Sequence, residues 1–110
     1  MVEYVSSLDT IFGSLADPTR RDILQRISEQ PMSVGEIAAN YDLTFAAISK
    51  HLKVLEKAQL IIKRRRGKEQ IVSLVPLSFA DASQYLDWYR KLWETRFDSL
   101  EEYLNNDGGE

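Results

Sequence analysis

The residues whose chemistry is easiest to interpret are the basic side chains between positions 44 and 68. This segment carries eight lysines and arginines and one acid, Glu56, although the 110-residue chain has a formal net charge of −3. A local basic patch attracts phosphates or an acidic protein surface even when the whole molecule is acidic. The segment therefore favours electrostatic binding, and a solvated charged face is the simpler alternative.

The sequence contains no set of residues with the types and spacing needed for catalysis or for metal binding. The chain has no cysteine, and its one histidine is His51. A single imidazole does not make a zinc site. Ser49 and His51 cannot pair as nucleophile and base, because residues two apart on a helix point about 200° apart. We therefore predict no enzyme, no metal site and no cofactor, and we expect His51 to pack or to contact a nucleic acid.

The first half of the basic segment, residues 44–58, is predicted to be a helix. Its apolar side chains recur at helical spacing, namely Ile48, Leu52, Leu55 and Ala58. Thr44 suits the N-cap, and the opposite face carries Ser49, Lys50 and Lys53 beside a small-residue first turn. Such a helix fits the major groove of DNA with its first turns near the base edges. Taken alone, it is also typical of an ordinary surface helix.

The flanks of this helix favour the DNA-binding interpretation. Ser33 and Glu36 have the spacing of a capping box and open a short helix to about residue 40. Three residues then lead to Thr44, which makes the two helices a helix-turn-helix. Two β-prone runs follow, over 59–62 and 69–75, with the basic turn 63–68 between them. This pattern predicts a β-hairpin, or wing, that contacts phosphates; a charged, protected sheet edge is the alternative.

Three further helices complete the predicted fold. The first covers residues 4–15 and has an apolar face with Leu8 and Phe12, and the second begins at Asp17 and Pro18 and runs to about residue 29. The last covers residues 79–104, which would span roughly 39 Å. Its aromatic stripe is more than a small domain can cover, so a second copy of the chain is the expected partner. A small-molecule pocket lined by the same aromatic residues is the alternative.

The fold class that results is mainly α with a small β-hairpin: a winged helix-turn-helix of four helices, two strands and a final helix. We expect one domain over residues 1–104 and a disordered polar tail over 105–110. No apolar run is long enough to span a membrane, and the N-terminus lacks the pattern of a signal peptide. The expected location is the cytoplasm.

Two ordered motifs resemble the ArsR family of bacterial winged-helix repressors. They are LADPTRRDIL at residues 15–24 and ISKHLKVL at residues 48–55, and the basic wing and long last helix stand in matching places. Residues 88–104 resemble a branch of the family that does not sense metals. Metal-sensing relatives carry a cysteine pair near the third helix, where this chain has Ser33 and Gly35. The resemblance implies a homodimer through the first and last helices that represses transcription at a symmetric, inverted-repeat operator.

The resemblance and the patterns above give two sets of candidate residues. Those expected to contact double-stranded DNA are Thr44, Phe45, Ala46, Ser49, Lys50, Lys53, Arg64, Arg65, Arg66 and Lys68. Those expected in the dimer interface are Leu8, Phe12, Tyr85, Tyr89, Trp93, Phe97 and Leu100. Phe45 and Ala46 offer no hydrogen bonds, so Ser49, Lys50 and DNA shape would carry the specificity. A winged-helix module that binds an acidic protein surface is the alternative function, and the sequence leaves open whether a small-molecule inducer exists.

Overall fold

The computed structural model describes the backbone of residues 2–108 and the side chains of residues 8–106. The elements in chain order are α1 (Val2–Ser14), α2 (Pro18–Glu29), β1 (Met32–Ser33), α3 (Val34–Ala38), α4 (Phe45–Lys57), β2 (Ile61–Arg66), β3 (Glu69–Leu74), a 3-10 turn (Pro76–Phe79) and α5 (Ala80–Gly108). The chain divides into two compact units, one up to Phe79 and one from Ala80 onward.

Local capping signals in the sequence produce the helix starts of the first unit. The Asp17 carboxylate accepts the Arg20 backbone N–H at 3.0 Å, and Pro18 is the first residue of α2. Ser33 and Glu36 form the reciprocal capping box, with bonds of 3.1 and 3.0 Å. Both starts are as predicted, because each bond lies within four residues. Helix α3 ends at Ala38, two residues earlier than expected.

Helix α4 begins and ends by two short-range devices. The Thr44 hydroxyl accepts the Ala47 N–H at 3.1 Å and caps the first turn, as predicted. At the other end, Gln59 adopts a left-handed φ of 62°, and the Leu60 N–H donates to the Leu55 carbonyl. This is a Schellman cap, which stops the helix and turns the chain into β2. Leu60 is fully buried beside the end of the helix.

The wing belongs to a three-stranded antiparallel sheet in the order β1-β3-β2. The sequence predicted only two of these strands, because β1 is two residues long and has no periodicity to detect; it pairs Met32 with Val72. The predicted turn over 63–68 was also too long. Strand β2 continues through Arg66, which pairs with Glu69. Gly67, with a φ of 64°, makes the two-residue turn that this pairing requires.

The core of the first unit lies where the helices meet the sheet. Its fully buried side chains are Ile23, Ile37, Ile48, Leu52, Leu55, Leu60 and Val72. They come from α2, α3, α4 and β3 and, in the case of Leu60, from the turn between α4 and β2, so the apolar faces predicted for the helices pack against the sheet. This packing holds α4 by one side and leaves its other side facing outward.

The second unit is the single helix α5. Its 29 residues correspond to about 43 Å of helix. The predicted end near Leu104 was wrong, since residues 105–108 are helical, and the expected disorder therefore does not apply to them. Adding residues to an existing helix costs little compared with starting one, so asparagine and aspartate extend it. Residues 109–110 of the predicted tail lie outside the described residues.

Candidate nucleic-acid interface

The outward side of α4 presents most of the helix residues predicted to contact DNA. Phe45 is 64% exposed, and Thr44, Ala46, Lys50 and Lys53 are exposed as well. Ser49 is half-buried. The apolar stripe on the opposite side is fully buried, as predicted. The helix thus offers a bare first turn and two amines to a ligand, while its hydrophobic side secures it.

An arginine from α2 ties the middle of α4 to the end of α1. Arg20 donates from Nε to the Ser14 carbonyl at 2.7 Å, and its Nη1 lies 3.3 Å from His51 Nδ1. A guanidinium only donates, so this contact is a hydrogen bond in the tautomer that leaves Nδ1 of His51 free to accept. The Asp17 carboxylate lies 3.8 Å from the same ring nitrogen. His51 therefore positions the helix rather than facing a ligand.

The turn before α4 is held by a second polar cluster. The Tyr41 hydroxyl donates to Asp22 Oδ2 at 2.5 Å, and Arg26 donates to the same oxygen at 2.9 Å. Arg26 also donates to the Asn40 side chain at 3.1 Å. Burial, followed by the hydrogen bond to Asp22, raises the pKa of Tyr41 to about 12. The i,i+4 spacing of Asp22 and Arg26 is the part of this cluster that the sequence alone could have indicated.

The wing carries the predicted basic residues, and the strand separates them onto two faces. Arg64, Arg65, Arg66 and Lys68 are all exposed. Neighbouring residues of a strand point to opposite faces, so Arg64 and Arg66 share one face and Arg65 the other. Arg65 stands opposite Gln70 in the register. The sequence alone could not divide these arginines, because it placed them in a turn.

A cleft of about 420 Å³ separates the first half of α4 from the wing. The side chains that line it include Ser33, Phe45, Ser49, Lys63, Lys68 and Gln70. It brings together two predicted contact residues of the helix and one of the wing. Lys63, which was not among the predicted contact residues, also lines it. The helix and the wing therefore form one basic surface around a shared cleft.

The residues predicted for the dimer interface differ in how much surface they present. Leu8 is 8% exposed, and Phe12 is half-buried. The five on α5 are exposed, at 39% for Tyr85 and Tyr89, 54% for Trp93, 61% for Phe97 and 51% for Leu100. Trp93 and Phe97 lie side by side, with ring centroids 5.9 Å apart. Most of the candidate interface area is therefore on α5.

Other kinds of site have little support in the described part of the chain. Among the side chains that the structure describes, those of residues 8–106, no group of three histidine or acidic residues is arranged to hold a metal ion. None of the helices within residues 2–108 is long and apolar enough to cross a membrane.

Comparison with known proteins gives one consistent family. A helix-turn-helix domain family matches residues 15–64. The HTH-type transcriptional regulator Rv2034 of Mycobacterium tuberculosis is 39% identical over 88 residues, which cover 78% of this chain and 82% of that protein. The transcriptional repressor SdpR of Bacillus subtilis is 30% identical over 79 residues, which cover 72% and 88%.

Solved structures agree with the sequence relatives. The crystal structure of the ArsR family transcriptional regulator RHA00566 superposes with a TM-score of 0.74 and 32% identity, covering 81% of this chain and 92% of that one. The homodimeric winged helix-turn-helix DNA-binding domain Mb0332 of Mycobacterium bovis has a TM-score of 0.61 at 20% identity, covering 83% of each chain. The second likeness is one of fold.

Proposed function

The chain belongs to the ArsR family of winged helix-turn-helix transcriptional regulators, which bind DNA and are not enzymes, and we propose that it is a homodimeric repressor of an inverted-repeat operator. Helix α4 enters the major groove of each half-site, and the wing contacts the flanking phosphates. The observation that carries the proposal is the continuous basic surface made by the outward side of α4 and by the wing.

The division of labour within this surface follows from its chemistry. Lys50 is exposed near the start of α4 and suits either a guanine edge or a phosphate. Phe45 and Ala46 are exposed without polar side-chain atoms and suit contact with a thymine methyl group. The wing arginines neutralise phosphates and fix the orientation of the protein. An acidic protein partner would not require the bare, apolar first turn of α4, so this turn favours DNA.

Dimerisation through α5 would make the DNA contact symmetric. On one face of α5, exposed apolar side chains form a stripe of Tyr85, Tyr89, Trp93, Phe97, Leu100 and Leu104. In a two-fold symmetric dimer, the stripe on one copy packs against the same stripe on the other copy. Two α4 helices related by a two-fold axis would reach half-sites roughly 34 Å apart. The homodimeric state named for Mb0332 and the repressor role named for SdpR support this proposal by similarity.

The test is a binding titration with the DNA upstream of the chain's own gene. We expect a retarded complex on the fragment that holds an inverted repeat, and at least about 1,000-fold weaker binding to random duplex of the same length. Adding the protein to a transcription reaction from that promoter should lower transcript yield. Equal affinity for both duplexes would contradict sequence-specific recognition, and raised transcript yield would contradict repression.

A further inference from the structure

Lys63 differs from the other basic residues of the wing in its surroundings. Its side chain is only 18% exposed, whereas the three arginines that follow it are all exposed. In the strand register it stands opposite the fully buried Val72, so it lies on the sheet face directed at the core. Lys63 is one of the residues that line the cleft between α4 and the wing.

The ammonium of Lys63 is loosely paired. Its Nζ lies 3.7 Å from Oε1 of Glu56, the single acid of the basic segment. A charge-assisted hydrogen bond would be about 2.8 Å long, so the two charges attract without a tight bond. Glu56 is itself 47% exposed. A lysine on a flexible four-carbon stem can exchange such a partner for a stronger anion.

The cleft has the position and the chemistry for that anion. If α4 occupies the major groove while the wing contacts the outside of that groove, the sugar-phosphate strand bordering the groove must pass between them. Ser33, Ser49 and Lys68, which carry hydroxyl groups and a second ammonium, also line the cleft. Glu69 lines it too, and stands opposite Arg66 in the strand register.

We propose that the cleft between α4 and the wing binds one phosphate of the DNA strand that borders the major groove, and that Lys63 leaves Glu56 to bind it. This inference rests on the DNA-binding function proposed above. Glu56 keeps the buried end of Lys63 paired in the free protein and opposes the phosphate in the complex. Glu56 therefore tunes affinity without contacting a base.

Four variants of the full chain test this, each titrated against operator and random duplexes at several salt concentrations. Lys63→Gln should weaken binding to both duplexes about tenfold and lower the slope of log affinity against log salt by about 0.9. Lys63→Arg should keep the wild-type slope. Glu56→Gln should tighten binding about two- to fivefold, because a carboxylate beside the phosphate is removed. Lys57→Gln is the matched control, since Lys57 is an exposed lysine next to Glu56 at the end of α4 and does not line the cleft.

The outcomes separate the two proposals. An unchanged slope for Lys63→Gln, or an equal reduction for Lys57→Gln, would overturn the phosphate site while wild-type binding stands. Weaker binding by Glu56→Gln would show that the ion pair holds the wing for DNA and would overturn partner exchange. Failure of the wild-type chain to bind either duplex would overturn the DNA-binding function itself. Thermal unfolding of each variant confirms that it is folded.

Discussion

Replacing Trp93 by alanine should break the proposed dimer. Trp93 is 54% exposed in the single chain, at the centre of the stripe of exposed apolar residues on α5. For a tryptophan of about 250 Å², that fraction is roughly 135 Å², and burying it against a partner stabilises the dimer by roughly 3 kcal/mol. Two copies double this, and incomplete burial and ordering of side chains offset about half. We therefore expect the dimer dissociation constant to rise about a hundredfold.

The helix also offers a matched control. Trp88 has the same side chain and is 59% exposed. At about 100° per residue it lies about 140° around the helix from Trp93 and about 60° beyond Tyr85, outside the edge of the stripe. Its ring packs edge-on against Tyr89 at 4.8 Å. Trp88→Ala should therefore leave the dissociation constant within a few-fold of the wild-type value.

Sedimentation velocity over about three decades of protein concentration measures both variants. Alanine favours a helix more than tryptophan does, so far-ultraviolet circular dichroism should show that α5 is retained. A dimer of Trp93→Ala as stable as wild type would refute dimerisation through this stripe. An equal effect of Trp88→Ala would refute the assignment of the face. DNA affinity of Trp93→Ala should fall in parallel with its dimer content, because each monomer reads one half-site.

Three other predictions concern the DNA surface and the turn before it. Arg65→Ala and Arg66→Ala should each lower the salt slope by about 0.9 on every duplex, and unchanged slopes would argue against wing–phosphate contact. Lys50→Ala should cost about 1–3 kcal/mol on operator DNA alone if it contacts a base, and an equal loss on random duplex would make it a phosphate contact. The Asp22 carboxylate accepts the Tyr41 hydroxyl, and this bond is the main reason that the pKa of Asp22 lies below its ordinary value of 3.8. The resulting stabilisation is present above pH 3.8 and is lost as the pH falls through the lowered pKa of Asp22. Urea unfolding from pH 7 to about pH 3 should therefore show that the difference in free energy of unfolding between wild type and Tyr41→Phe shrinks in acid. A difference that stays constant with pH would contradict this linkage.

Much of the helix-turn-helix was predictable because its signals are local. The caps at Asp17, Ser33 and Thr44 each use a bond to a residue three positions away, so spacing alone indicates them. The buried stripe of α4 follows from the helical repeat of Ile48 and Leu52. The same logic selected the exposed residues on the other side of that helix.

The errors fell where pairing depends on distant parts of the chain. Strand β1 exists only because Met32 finds a partner at Val72, and two residues carry no periodic signal. Arginine favours neither strand nor turn strongly enough to reveal that β2 continues through Arg66. The register with β3 decides that, and it also puts Arg65 on the opposite face from its neighbours.

Composition and periodicity by themselves determined the winged fold, the basic segment and the long amphipathic last helix, because these depend on residue types at short, regular spacings. Tertiary structure alone decided the surroundings of His51 and Lys63. It turned His51 inward to Arg20, and it placed Lys63 in a cleft beside Glu56. Both outcomes depend on side chains brought together from separate elements, and the packing that brings them together is cooperative, so no single stretch of sequence encodes it.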